Sequence, residues 1–256
     1  MANNAFVDIT KKSVVVAKNE LKKYLRGKKI LICAGLMIFI LAIMISVPYL
    51  LGDGLPEDPL SIAFMFTMFA YLLAAMTAIL FAATAIVSEF EERTALITFT
   101  KPVRRSSIFL GKFMASSLIA IVFVLLYFVA VIVVSLCVTG EVAPELYTAI
   151  GLTLLYTMAC TGLAMLFSSI MKKGSTATLL TLMTLFLLLS IISQVVSMAL
   201  SDPNSVWWML DTVAMDIFGV LNSSNSIDVL KSASVMIGWC AIPTVLSYLI
   251  FRRKNF

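Results

Sequence analysis

Histidine does not occur anywhere in this chain of 256 residues. Its absence removes the H-E-x-x-H metal site, the Ser-His-Asp triad and every metal centre built on imidazole. The G-x-S-x-G turn that presents a nucleophilic serine is missing too. Charge is scarce: Asp, Glu, Lys and Arg make up 13% of the residues, against about 25% in an average soluble domain. Gly111-Lys112 lacks the upstream glycine of G-x-x-x-x-G-K-[ST], so the chain has no phosphate-binding loop of that kind. The longest charged stretch, residues 88–112, is far shorter than the roughly 50–250 residues of a folded domain. The four cysteines, Cys33, Cys137, Cys160 and Cys240, form no C-x-x-C pair and read as small buried hydrophobes, not metal ligands. There is no internal repeat and no low-complexity segment. An intramembrane enzyme is the least favoured class on these grounds.

What is present is oil. Hydrophobic residues make up 61% of the chain, against roughly 45–50% in soluble domains. Runs free of Asp, Glu, Lys and Arg cover residues 30–51, 60–88, 113–139, 146–171, 174–201 and 232–251. Each reaches the ~20 residues that a helix needs to cross a ~30 Å hydrocarbon layer. The first run follows a basic segment but has no A-x-A-like cleavage site and runs into Pro48, so it reads as a retained helix and not a signal peptide. The expected fold is all-α, a polytopic membrane protein of six transmembrane helices forming one transmembrane domain over residues 1–256. Residues 11–26 place Val14, Ala17, Leu21 and Leu25 on one stripe and Lys11, Lys18 and Lys22 on another, which predicts an amphipathic interfacial helix ending near Gly27.

Charge orients the bundle. With the N-terminus, residues 88–112, the short 171–175 loop and the C-terminus on one side, that side collects all of the nineteen Lys and Arg residues except Lys231. By the positive-inside tendency it is expected to be cytoplasmic, with both termini, in a cell membrane. Nine of the fourteen acids fall opposite, so the net charge of +5 reads as a topology signal, and nucleic acid is not an expected partner. The opposite loops are brief at 52–59 and 140–145. The exception is 202–231, where Val206, Trp207, Trp208, Met209 and Leu210 precede Val213, Ile217, Phe218, Val220 and Leu221. That composition predicts an interfacial or re-entrant stretch, with a plain aromatic anchor as the simpler alternative. Asn222-Ser223-Ser224 matches a short glycosylation acceptor.

Two patterns mark the spans. Ala74, Ala78 and Ala82 recur every fourth residue in the second, a stripe that admits a closely packed helix from the same chain or another. Ser190, Ser193, Gln194 and Ser197 put one polar face on the fifth, either for interhelical hydrogen bonds or to line a translocation path. The six runs contain no ionisable carboxylate or base, which disfavours a proton-driven carrier or a voltage-gated channel. Uphill transport would then need energy from a partner acting at the basic side.

Residues 88–112 are the largest surface for such a partner. Glu89, Glu91 and Glu92 open the stretch, an amphipathic piece over 94–100 is stopped by Pro102, and Arg104 and Arg105 lead to Gly111-Lys112. On composition alone, these charges also suit a solvated loop that enforces topology. The pattern E-x-x-x-x-T, then after seven intervening residues P-V-x-R, then I-x-x-G-K, carried here by Glu89, Thr94, Pro102, Val103, Arg105, Gly111 and Lys112, resembles the loop after the second span of type-2 ATP-binding cassette (ABC) permeases. Arg93, where that family commonly has glycine, and Arg104, where it commonly has serine, depart from it. The overall layout of a leading amphipathic helix, six spans, short outer loops and a basic C-terminus is similar along the whole chain.

That resemblance implies a half-transporter, an exporter with no catalytic residue, metal or cofactor of its own. Two copies of the permease would pair with two ATPase subunits that hold ATP and Mg. Glu89, Glu91, Glu92, Thr94, Pro102, Arg104, Arg105 and Lys112 would form the coupling contact. The second and fifth spans would meet at the dimer interface and line the path. Rival readings are a gradient-driven carrier or channel, and a non-transporting membrane anchor or mechanical transmitter for an ATPase.

Overall fold

The computed structural model describes residues 2–52, 54–91, 105–200, 203–222 and 227–253. Among them every regular element is helical, and six helices are long and apolar enough to cross a membrane. The chain is a multi-pass membrane protein. One end of the bundle is rich in basic residues and the other in acidic ones.

Helix α1 (Ala2–Arg26) begins well before residue 11 and stops at Gly27, where α2 (Lys28–Leu51) starts at once. The predicted apolar stripe of α1 is divided. Ser13, Ala17 and Tyr24 are buried, whereas Val14 and Leu25 are exposed. The buried face lies along α5 (Arg105–Thr139), and Gly111 makes the approach possible. A Cβ added there would lie 2.7 Å from the Ser13 carbonyl oxygen, well inside van der Waals contact. With 35 residues, α5 runs about 52 Å at 1.5 Å per residue, so its first turns extend beyond a ~30 Å hydrocarbon core. It also starts about two turns earlier than the apolar run at 113 suggests, because residues 105–112 continue the same helix.

Helix α2 is thinly covered, with only Cys33 and Ile40 buried. Its C-terminus closes on Gly52 in the left-handed region (φ 92°), whose N–H returns to the Pro48 and Tyr49 carbonyls. Asp58 then caps α3 (Pro59–Ala82), its carboxylate accepting from Ser61 N–H at 3.0 Å with Pro59 in the first turn. Helix α3 is the central post of the bundle. Ala74, Ala78 and Ala82 are all fully covered within this one chain, and α3 packs on α5 and α6 (Glu145–Ile170). The small side chains permit that close packing. Within the single chain the stripe serves helix packing, one of the two uses that its spacing left open.

Helix α6 is the second buried post. Thr153, Thr157 and Thr161 each donate to the carbonyl four residues back, so its hydroxyls need no partner from another helix. Gly162 lets α10 (Val229–Arg253) approach: a Cβ there would meet the Cys240 carbonyl oxygen at 2.8 Å. The fifth span is interrupted. Helix α7 (Gly174–Met183) passes through a π segment, Thr184–Leu188, before α8 (Leu189–Leu200), which re-aims the half carrying the serines. The segment after α8 folds into a 3₁₀ turn (Pro203–Val206) and α9 (Leu210–Gly219), whose Leu210, Val213, Ala214 and Ile217 are buried in the main core. Phe218 packs against the rings of Phe64 and Tyr71, at 6.0 and 6.3 Å between centroids.

Candidate functional site

The basic end is organised around one side chain. Lys112 is only 1% exposed, and its ammonium uses all three donors: Glu20 Oε1 at 2.8 Å, Glu89 Oε1 at 2.9 Å and the Ala85 carbonyl at 2.7 Å. Those acceptors come from α1, from the five-residue α4 (Val87–Glu91) and from the turn between α3 and α4. A buried ammonium survives only when so satisfied, because desolvation otherwise outweighs attraction. Tyr24 lies beside this cluster, and burial, together with Glu20 and Glu89, pushes its phenol well above the ordinary range. It therefore stays neutral and keeps its proton toward the Phe81 carbonyl.

Further bonds fix α4 to the rest. Ser168 of α6 accepts from the N–H groups of Ile86 and Val87 at 3.0 and 3.2 Å, supplying the acceptor that amides entering a helix lack. Glu91 accepts from Gly174 N–H at 2.9 Å, placing a carboxylate on the first amide of α7, where the helix end is positive. Lys29 of α2 donates to Thr84. Arg105 donates to the Arg252 carbonyl at 2.8 Å, tying the start of α5 to the end of α10, and Ser106 and Tyr248 hydrogen bond across the same pair of helices. The short α4 is thus bonded to α5, α6 and α7 and joined to α1 through Lys112, with α2 and α10 tied in at its margins. Among the described residues no group of His, Cys, Asp or Glu could hold a metal.

Of the residues expected at the coupling contact, Glu89, Glu91, Arg105 and Lys112 fall in this junction. Glu92, Thr94, Pro102 and Arg104 lie outside the described residues, as do Arg93 and Val103. The sequence reading missed Glu20, Ser168 and the Thr84 hydroxyl. Glu20 had a detectable mark, as a lone acid among the lysines of an amphipathic helix. Ser168 had none.

The polar face of the fifth span divides in two. Ser190 and Ser193 point inward and donate to the two oxygens of Asp211 on α9, at 3.0 and 3.3 Å. Gln194 is exposed and Ser197 only half-buried, its hydroxyl turned back on the Gln194 carbonyl. Asp211, which lies outside every apolar run, thus brings a carboxylate against the fifth span, which carries none of its own. A second acid of α9, Asp216, accepts from Ser232 of α10. Burial pushes its carboxyl above the ordinary range, opposed by the Ser232 hydrogen bond and by Lys231.

With the geometry in place, two comparisons bear on the chain. A family model described as ABC-2 family transporter protein matches residues 14–256. The protein named "Probable ABC transporter permease protein NosY" of Stutzerimonas stutzeri is 27% identical over 273 residues, covering 93% of this chain and 97% of that protein.

Proposed function

Because the chain belongs to the ABC-2 family of transporter proteins, which implies an ATPase partner, we propose that it is the membrane-spanning permease subunit of an exporter. ATP and Mg are held by the separate ATPase subunit, and this chain supplies no catalytic group. The observation that carries the reading is the Lys112 junction: α4 and the start of α5, the helices on either side of residues 92–104, are locked into one body. The excess of lysine and arginine puts this end in the cytoplasm, with both termini. Closure of the ATPase moves the ends of α4 and α5, and the bonds through Lys112, Ser168 and Glu91 pass the displacement to α1, α5, α6 and α7 together.

Two copies of the chain fit the exposed face of the fifth span. Ile191, Val195 and Met198 share one side of α8 with Gln194, and all are exposed in the single chain. A glutamine at membrane depth is costly against lipid and is accommodated in an interface or a wet path. A homodimer closing over this side puts Gln194 and Ser197 along the route between subunits, with Ser190 and Ser193 holding the α9 cap behind it. Co-purification of an ATPase with the tagged chain tests the partnership. Replacing Gln194 and Ser197 by leucine is expected to impair transport while the dimer and the bound ATPase persist; wild-type transport by that variant overturns the path assignment.

A further inference from the structure

The elbow between α1 and α2 encloses a second feature that the coupling role does not use. A cavity of about 260 Å³ opens there, walled by α1, the start of α2 and the turn that leads into α4. Lys23, Lys28 and Lys29 line it, with Lys29 donating to the Thr84 hydroxyl, and Ser88 adds a hydroxyl group beside Tyr24, whose own proton goes to the Phe81 carbonyl. The acid on its wall, Glu20, already binds the Lys112 ammonium at 2.8 Å, so the cavity presents net positive charge. Gly27 shapes the elbow: an added Cβ would come within 3.3 Å of the Lys23 carbonyl oxygen. At the rim stands Ile32, and the side of α2 below it is apolar and uncovered, with Leu31, Ile32, Ile38 and Phe39 all more than half exposed.

We propose that this cavity binds the phosphate headgroup of an anionic phospholipid, with its acyl chains lying along the exposed face of α2. A phosphodiester accepts from ammonium and hydroxyl groups, and the walls offer both. Lys28 and Lys29 are the first residues of a membrane span, which sets the cavity at headgroup level. Basic pockets between helices at that level suit anionic lipids. The apolar strip beneath the pocket distinguishes a lipid from free phosphate, since it gives the chains a surface to follow. The site depends on neither the ATPase nor any transported substrate, so it stands or falls separately from the transport reading.

Native mass spectrometry of the full-length chain in zwitterionic detergent, supplied with equal amounts of dioleoylphosphatidylglycerol and dioleoylphosphatidylcholine, tests the site. The wild type is expected to retain phosphatidylglycerol in preference. Lys28→Gln, at an exposed side chain whose loss spares the core, should lower that preference about fivefold, with a similar factor for each further lysine replaced. The combined Lys23→Gln, Lys28→Gln, Lys29→Gln variant should lose it. A charge-matched control, Lys11→Gln, Lys18→Gln, Lys22→Gln on the exposed side of α1, should keep it. Unchanged preference in Lys28→Gln, or an equal loss in the control, overturns the proposal in favour of diffuse surface attraction. Displacement of the lipid by excess inorganic phosphate overturns it in favour of a free-anion site.

Discussion

The two ends of the bundle are built from different materials. At the basic end an ammonium and two carboxylates are buried together, backed by backbone carbonyls and amides from several helices. At the acidic end, α9 is held by apolar packing and by serine hydroxyls that donate to Asp211 and Asp216. The difference is one of cooperativity. Removing one member of a buried ion cluster strands the others at high cost, whereas a hydroxyl with a second acceptor loses little. Ser193 also donates to the Ser190 carbonyl at 3.0 Å, and Ser190 to that of Phe186 at 3.5 Å, so both have such an acceptor. Under the proposed function, in which force arrives at the basic end, this asymmetry supplies a rigid input and a more releasable far end.

The comparison breaks most severely at Lys112. Lys112→Met leaves Glu20 and Glu89 facing each other in a covered site, and the expected destabilisation is about 3–5 kcal/mol, read as a lowered Tm in detergent. Restoring part of the balance with Glu20→Gln in the same chain should recover some of that loss. A smaller effect is expected at the α1–α5 crossing. Gly111→Val forces a side chain against the Ser13 carbonyl and Val16, and overpacking of this kind costs about 1–3 kcal/mol; faster proteolysis within α1 reports the loosening.

Smaller again is the effect at the acidic end. Asp211→Leu should cost about 1 kcal/mol, since both serines keep a backbone acceptor. It should nonetheless raise the rate at which a Ser193→Cys thiol reacts with a water-soluble maleimide. A loss as large as that of Lys112→Met would erase the contrast between the ends. The slightest expected effect is on pH. Asp216 binds its proton more tightly when α9 is docked, because burial raises its carboxyl. Docking therefore takes up protons, is strongest below the ordinary carboxylate range and weakens as pH rises through the raised value. Amide exchange in α9 should accelerate over that window, and Asp216→Asn should flatten the dependence.

The spans and their order were legible because six uncharged runs of sufficient length leave little choice in a bilayer. What hydropathy does not carry is neighbourhood. The alanine stripe of α3 announced close packing but not with whom, and the structure spends all of it inside the chain. Lys112 was visible as part of a motif, yet its partner Glu20 lies 92 positions away on a helix whose stripe suggested a membrane surface. The fifth span showed four polar residues on one face; the π segment and the arrival of Asp211 divide them into an inward pair and an outward one. Periodicity describes one helix at a time, so contacts supplied by a second element stay hidden from it.

The central claim is that the Lys112 junction passes motion from the ATPase into the bundle. Its most direct test is the ATP turnover of the partner subunit, co-reconstituted in vesicles with the wild-type chain or with a chain carrying Glu89→Gln and Arg105→Ala. Residues 92–104 are unchanged in that variant, so the ATPase should still co-purify, while its stimulation by the permease should fall at least about fivefold. Equal turnover with both chains, at equal ATPase content, would contradict the account.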